Sequence, residues 1–324
     1  MSEQQKNHDQ KILQESLATR KYANPTVDVI FKRVFGTEKN KDCLIGFLSE
    51  LLGFNIADLS ILNPELPNDF PGVKGARLDV LVKLASGQLV NVEIQVANQG
   101  NIAGRSLFYW SRIFGEQLKP GESYEVLNPV YGVYILDFEW FEKGNHYLHN
   151  FALRNTDTGE KFDEQNEYLH LSFIELPKYK ETASLPPKNL DKWVLFFKTH
   201  NDQILEQLKM TNTAIAKALS ALEIAAMTDE ERRLYYARMA ALSDEKSLIN
   251  YNLKKGREEG IEQGKQEGLI ETLKKIAKKR FPKLGAASLA KIETLTTPQL
   301  EAELEKVIDS ASQEEFEQGL GVLE

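Results

Sequence analysis

A chain of 324 residues, 42% of them apolar, holds enough material for one generous core and a smaller appendage. With 48 acidic against 40 basic residues and a net charge of −8, it argues against a globally basic nucleic-acid binder, so any contact with phosphate needs a local basic surface. The single cysteine, Cys43, excludes an internal disulfide and a multi-cysteine zinc site, and no run approaches the roughly 20 consecutive apolar residues of a membrane-spanning helix.

The first twenty residues lack the apolar stretch of a leader peptide and read as a polar tail. A cytoplasmic location without membrane contact is therefore expected, and Cys43, set in DCLIGFL, reads as a buried small hydrophobe. Pro25-Thr26 opens a helix in which Val27, Ile30, Phe31, Val34 and Phe35 recur at spacings of three and four, with Gly36 at its end. A second helix passes through Leu44, Phe47, Leu48, Leu51 and Leu52 to Gly53, which suits a left-handed cap. A short strand is expected near Ile56 to Leu62.

From Arg77 to Val96 the apolar residues alternate: Leu78, Val80, Val82 and Leu84, then Val90, Val92, Ile94 and Val96. This predicts a hairpin around Ser86-Gly87-Gln88. A three-residue loop there pairs Ala85 with Leu89, sets Val80 opposite Ile94, and gathers the apolar residues on one face. Asp79 then faces Gln95, while Glu93 lies opposite Leu81 and diagonal to Asp79 on the other face. Beyond it, Asn98 is expected to cap a helix to about Leu118, with Trp110, Ile113 and Phe114 inward and Arg105, Tyr109 and Arg112 along another stripe. The apolar run VYGVYILDF from Val130 suits a central strand covered on both faces. Strands are also expected at Tyr147 to Arg154 and Tyr168 to Leu176, and helices from Leu190 onward.

Four glycines, Gly256, Gly260, Gly264 and Gly268, recur every fourth residue in the charged stretch KKGREEGIEQGKQEG. In a helix each costs about 1 kcal/mol relative to alanine, a loss that close approach of another helix would offset, so self-association and a hinge are both open. LKKIAKKRF follows as a basic amphipathic helix, and Thr297-Pro298 opens a last one.

The chemistry-bearing residues cluster in the hairpin. An aspartate on one strand, a glutamate on the next and a backbone carbonyl form a hard-oxygen site for Mg2+ or another divalent cation; Asp79, Glu93 and the Ile94 carbonyl fit it. Asp28 is an outer acid from the first helix. His146 and His149 lack a third ligand nearby in sequence and are expected to be surface or structural residues.

These features resemble the PD-(D/E)XK nuclease family transposases, the Rpn recombination-promoting nucleases. The matching segments are VDVIFKRVFG around Asp28, RLDVLVKLASGQLVNVEIQV with Asp79 and Glu93-Ile94-Gln95, GRSLFYWSRIF, GESYEVLNPVYGVYIL, IELPKY and the glycine-spaced helix, in that order over about residues 22 to 283. The resemblance implies an α/β, restriction-endonuclease-like core with a central mixed sheet flanked by helices, followed by a helical C-terminal region. It also implies a metal-dependent DNA endonuclease serving recombination or transposition, with Asp79 and Glu93 catalytic and Gln95 where many relatives carry lysine. Glutamine brings no positive charge to the scissile phosphate. Lys83, Arg105, Tyr109 and Arg112 are accordingly candidate DNA contacts. The expected divisions are a tail at 1–20, the core at 21–180, a helical region at 181–250 and a glycine-spaced, helical end at 251–324, a route to homo-oligomers. The rival readings are a degenerate nuclease fold that binds DNA or protein without cutting, and an interaction protein working through its C-terminal helices.

Overall fold

The computed structural model describes residues 20–63, 65–66, 76–180 and 189–322. They divide into two compact units, one extending to Glu245 and the other beginning at Lys246. All of the expected polar tail except Arg20 lies outside the described residues, and so does the segment 181–188.

The first unit opens with α1 (Asp28–Phe35) and α2 (Lys41–Leu52), followed by β1 (Leu59–Ile61), the two-stranded ladder of β2 (Glu65–Leu66) and β3 (Ala76–Arg77), β4 (Val80–Leu84) and β5 (Leu89–Gln95). Next come α3 (Ile102–Gly115), β6 (Val130–Leu136), β7 (Leu148–Ala152) and β8 (Leu169–Glu175). Helices α4 (Asn189–Lys198), α5 (Asp202–Lys209) and α6 (Thr213–Leu222) precede the 52-residue α7 (Asp229–Arg280), which continues into the second unit. There α8 (Ala286–Glu293), α9 (Thr297–Asp309) and α10 (Gln313–Gly319) follow, so the helix opened by Thr297-Pro298 is not the last. No helix among the described residues is long and apolar enough to cross a membrane.

Six strands form one mixed sheet in the order β1-β4-β5-β6-β8-β7. Its centre, β5, β6 and β8, is parallel, and the flanking strands are antiparallel. As the run VYGVYIL requires, β6 is covered on both faces. On one face Val80, Val82, Val90, Val92, Val133 and Ile135 pack under α1, α2 and α4 to α6. On the other, Leu81, Leu89, Val130 and Tyr134 pack under α3. An aromatic cluster ties the helical layer together: the Phe35 ring lies 5.0 to 6.3 Å from those of Phe31, Phe47, Trp193, Phe196 and Phe197. Helices α4 to α6 and the start of α7 thus share the core of the sheet.

The hairpin differs from its expected register. Val80 faces Val92, Val82 faces Val90, and Leu84 N–H donates to the Gln88 carbonyl at 2.8 Å, so the loop is Ala85-Ser86-Gly87. Gly87 sets this tip: its φ of +102° is the left-handed position that closes a three-residue hairpin loop, and a Cβ there would meet Asn128 Oδ1 at 2.7 Å. The shift is two residues, an even number, so every side chain keeps its expected face. Gly53 ends α2 at φ +77°, the left-handed cap the sequence calls for. At α3, by contrast, the N-cap is Asn101 rather than Asn98, whose side chain accepts the Gly100 N–H in a local turn instead.

The IELPKY segment builds a buried network at the end of β8. Glu175 is fully buried, accepts the Trp140 and Phe141 N–H groups, and lies 2.8 Å from both Lys178 Nζ and His149 Nε2. Burial alone would raise its carboxyl, but Lys178 and the two N–H groups outweigh it and hold the acid below its ordinary range. His149 is thus structural, as expected, and His146 is exposed.

In the second unit Leu273, Ala277, Phe281, Ile292, Leu300, Val307 and Phe316 make a small core. A capping box of Thr296 with Gln299, and Pro298 in the first turn, open α9. The four ladder glycines are exposed, and a Cβ on any of them meets nothing within 4 Å.

Glycines of α2 and α7 respond oppositely to a methyl group. At Gly46 a Cβ would lie 2.6 Å from Ala214 Cβ, so Gly46→Ala is expected to cost about 1–3 kcal/mol by overpacking α2 against α6. Gly260→Ala is expected to stabilise the second unit by about 1 kcal/mol through helix propensity. Denaturant unfolding of both variants tests the pair, and a destabilised Gly260→Ala would mean that another body packs on that face.

Candidate active site

The register places Asp79 across from Glu93, one rung beyond the Val80–Val92 pair, rather than diagonal to it. β4 begins only at Val80 while β5 runs on to Gln95, which leaves backbone groups at the end of β5 without a strand partner on the β4 side. Side chains take their place. Asp79 N–H donates to Glu93 Oε1 at 3.0 Å, and Ile94 N–H donates to Asp79 Oδ2 at 3.1 Å. Because the N–H and C=O of one strand residue point to the same neighbour, the Ile94 carbonyl also turns toward the Asp79 side.

Two cations meet the acids. Lys32 Nζ, from α1, lies 3.1 Å from Asp79 Oδ1. Arg105, from α3, reaches Glu93 Oε2 at 3.4 Å and Gln95 Oε1 at 3.3 Å, and its guanidinium sits 5.1 Å from the centre of the Tyr109 ring. Glu93 is only 1% exposed. Burial first, and then the nearby Asp79 charge, push its carboxyl up to about 8, against the pull of the Asp79 N–H and Arg105. Tyr134, directly across on β6, is raised as well, by burial and by Glu93, and donates its hydroxyl to the Ser106 carbonyl at 3.2 Å. Asn91, two residues before Glu93 on the same strand, is buried and makes no side-chain hydrogen bond among the described residues, yet stands near enough to favour the ionised Glu93.

In front of Asp79 opens a cavity of about 190 Å³, lined also by Asp28, Ile94, Gln95, Arg105 and Arg238 among others; the sealed Glu93 is not part of its wall. Asp28 faces it from α1, and Arg238 Nε donates to Asp28 Oδ1 at 2.9 Å. Of the expected DNA contacts, Arg105 lines the cavity and the half-buried Tyr109 lies behind it. Lys83 shares the face of Asp79 but is exposed four residues along the strand, about 13 Å away, and plays no part in the pocket. Arg112 is also remote, two turns or about 10 Å along α3 and paired with Glu116 at 2.8 Å. The sequence reading omitted Lys32, Arg238, Asn91 and Tyr134. Lys32 had a signal, lying four residues after Asp28 on one helix; Arg238 had none, since its approach is wholly tertiary. No group of three or more His, Cys, Asp or Glu side chains suited to a metal occurs among the described residues.

A mixed sheet whose strand ends carry facing carboxylates, under a helix that supplies an arginine, defines a nuclease-like α/β protein. The chain belongs to the PD-(D/E)XK nuclease family transposases, whose family pattern matches residues 25–252 and so takes in the sheet, α1 to α6 and the part of α7 that borders the cavity. No curated protein and no solved structure matches the chain. The family supports a nuclease-related function.

Glu93 makes stability depend on pH. Its ordinary value is 4.5, so between there and about 8 the folded chain holds a proton that the unfolded chain releases. Stability therefore falls as pH rises through that window, by at most about 1.4 kcal/mol per pH unit, and levels off above it. Glu93→Gln is expected to remove this slope, so its melting temperature gains on that of the wild type between pH 5 and pH 8.5. Parallel curves would show that Glu93 ionises normally.

Proposed function

We propose that the chain is a divalent-metal-dependent DNA endonuclease acting in recombination or transposition, with its centre at Asp79 and Glu93. The observation that carries the reading is the facing of these two acids across the β4–β5 rung, Asp79 of the pair lining a cavity with room for a hydrated ion. The donor set fits magnesium: hard carboxylate oxygens of Asp79 and Glu93, with the Ile94 carbonyl on the same side. Burial leaves Glu93 poorly stabilised as an anion, and a divalent cation would remove that deficit. Such a cation would supply charge stabilisation at phosphorus and lower the pKa of an attacking water.

The remaining work falls to the chain. Glu93 gives up its proton for the site to load, and the Asp79 and Ile94 N–H groups hold the two carboxylates in place. Gln95, held by Arg105, orients water or a phosphate oxygen by hydrogen bonding. Lys32, now on Asp79, brings the positive charge that Gln95 lacks, a part for which the exposed Lys83 is too remote. Asp28 is an outer acid at the cavity wall. A second reading, a nucleic-acid-binding module that does not cut, is favoured by one observation: Glu93 is almost sealed, with Arg105 already on it.

Plasmid cleavage separates the two. With magnesium the wild type is expected to nick supercoiled DNA and with chelator to leave it intact. Asp79→Ala and Glu93→Ala are each expected to lose about a thousandfold in rate, the worth of several kcal/mol of charge stabilisation. Wild-type protein that leaves DNA whole under a range of divalent cations would favour the binding module.

A further inference from the structure

One wall of the cavity comes from α7 rather than from the sheet. Arg238, Leu242 and Glu245 line it at spacings of four and three, on one face of the helix. That face is anchored: Tyr235 and Leu242 are buried, the Tyr235 hydroxyl accepts the Asn24 N–H at 3.0 Å, and Glu245 accepts Gln99 Nε2 at 2.8 Å. Arg238 is held between these points. Its Nε is engaged by Asp28, and among the described residues neither of its Nη groups has a partner.

The neighbouring cations are already engaged. Lys32 is on Asp79, and both Nη groups of Arg105 are on Gln95 and Glu93. Among the described residues Arg238 is the cation of the cavity wall whose Nη donors stay open, the planar fork that matches two oxygens of a phosphate. Asp28 lies on the far edge of that fork and fixes its direction. We propose that Arg238 is a phosphate-binding residue of this site and Asp28 its positioning residue, so that a DNA strand runs between the end of β5 and α7. This rests on the nuclease reading for the identity of the ligand.

A merely structural Arg238–Asp28 tie predicts that loss of either partner acts alike. A phosphate-binding arginine predicts opposite effects, because removing the Asp28 charge leaves Arg238 more attractive to an anion. The test is fluorescence anisotropy of a short labelled DNA duplex, without metal and over a range of salt, on full-length protein carrying Glu93→Gln to prevent cleavage. Arg238→Gln is expected to weaken binding about tenfold or more at low salt, the worth of one charged hydrogen-bonded contact. It should also reduce the slope of log affinity against log salt by about 0.9, one phosphate. Asp28→Asn is expected to tighten binding, and Arg238→Lys to restore the slope but only part of the affinity. Weaker binding by Asp28→Asn, or an unchanged salt slope in a folded Arg238→Gln protein, overturns the proposal; should Arg238→Gln fail to fold, Asp28→Asn decides. If the wild type cuts plasmid while Arg238→Gln binds as tightly as its parent, this inference fails alone. If Arg238→Gln loses binding while the wild type never cuts, the nuclease reading fails and the phosphate site stands.

Discussion

The site depends on a reciprocal exchange at the point where β4 gives out. Asp79 N–H is satisfied by the Glu93 carboxylate and Ile94 N–H by the Asp79 carboxylate, two side-chain acceptors standing where strand carbonyls would otherwise be. A backbone donor left unpaired in a buried place costs about 1–3 kcal/mol, so the exchange stabilises the sheet end as well as aiming the acids. Chemistry and architecture are therefore not separable here. The same two carboxylates that would bind a cation are the ones that finish the ladder.

Around that exchange the surrounding groups set the charge. α1 brings Lys32 to Asp79, while α3 and α7, far apart in sequence, bring Arg105 and Arg238 to the cavity wall. The cavity wall carries three carboxylates, Asp28, Asp79 and Glu245, beside the two arginines, so in a chain of net charge −8 the cations stand here as local partners of acids. The sealed Glu93 is not part of that wall. Burial and the neighbouring aspartate keep it reluctant to ionise, a condition that makes the binding of any cation a competition with a proton.

Much of this arrangement was legible in the residues, for physical reasons that also mark where legibility stops. Alternation of Val80, Val82, Val90 and Val92 assigns faces with certainty because the side-chain period is two, and the aspartate and glutamate fall on one face in any even register. The same period is blind to a shift of two, so the rung shared by Asp79 and Glu93 could be fixed only by the loop, where the left-handed Gly87 and not Gln88 closes the turn. The α3 start was misplaced for a related reason: Asn98 and Asn101 are equally good caps on paper, and Asn98 spends its side chain on Gly100 instead. Lys32 was within reach of a sequence argument, being one turn from Asp28. Arg238, 210 residues from Asp28, was not, because nothing in local pattern says which face of a long helix comes home to which cavity.

The three residues at the hairpin tip act as a ruler for the distant centre. Ala85-Ser86-Gly87 touch neither acid, yet their number sets which side chain on one strand meets which on the next. Gaining or losing one residue there would drive the glutamate among the valines. A change of two would leave the core intact and simply slide the carboxylates out of step. Foldability would tolerate the second alteration but the meeting of Asp79 with Glu93 would not, so the length of this tip sets what faces what six residues away as well as the turn itself.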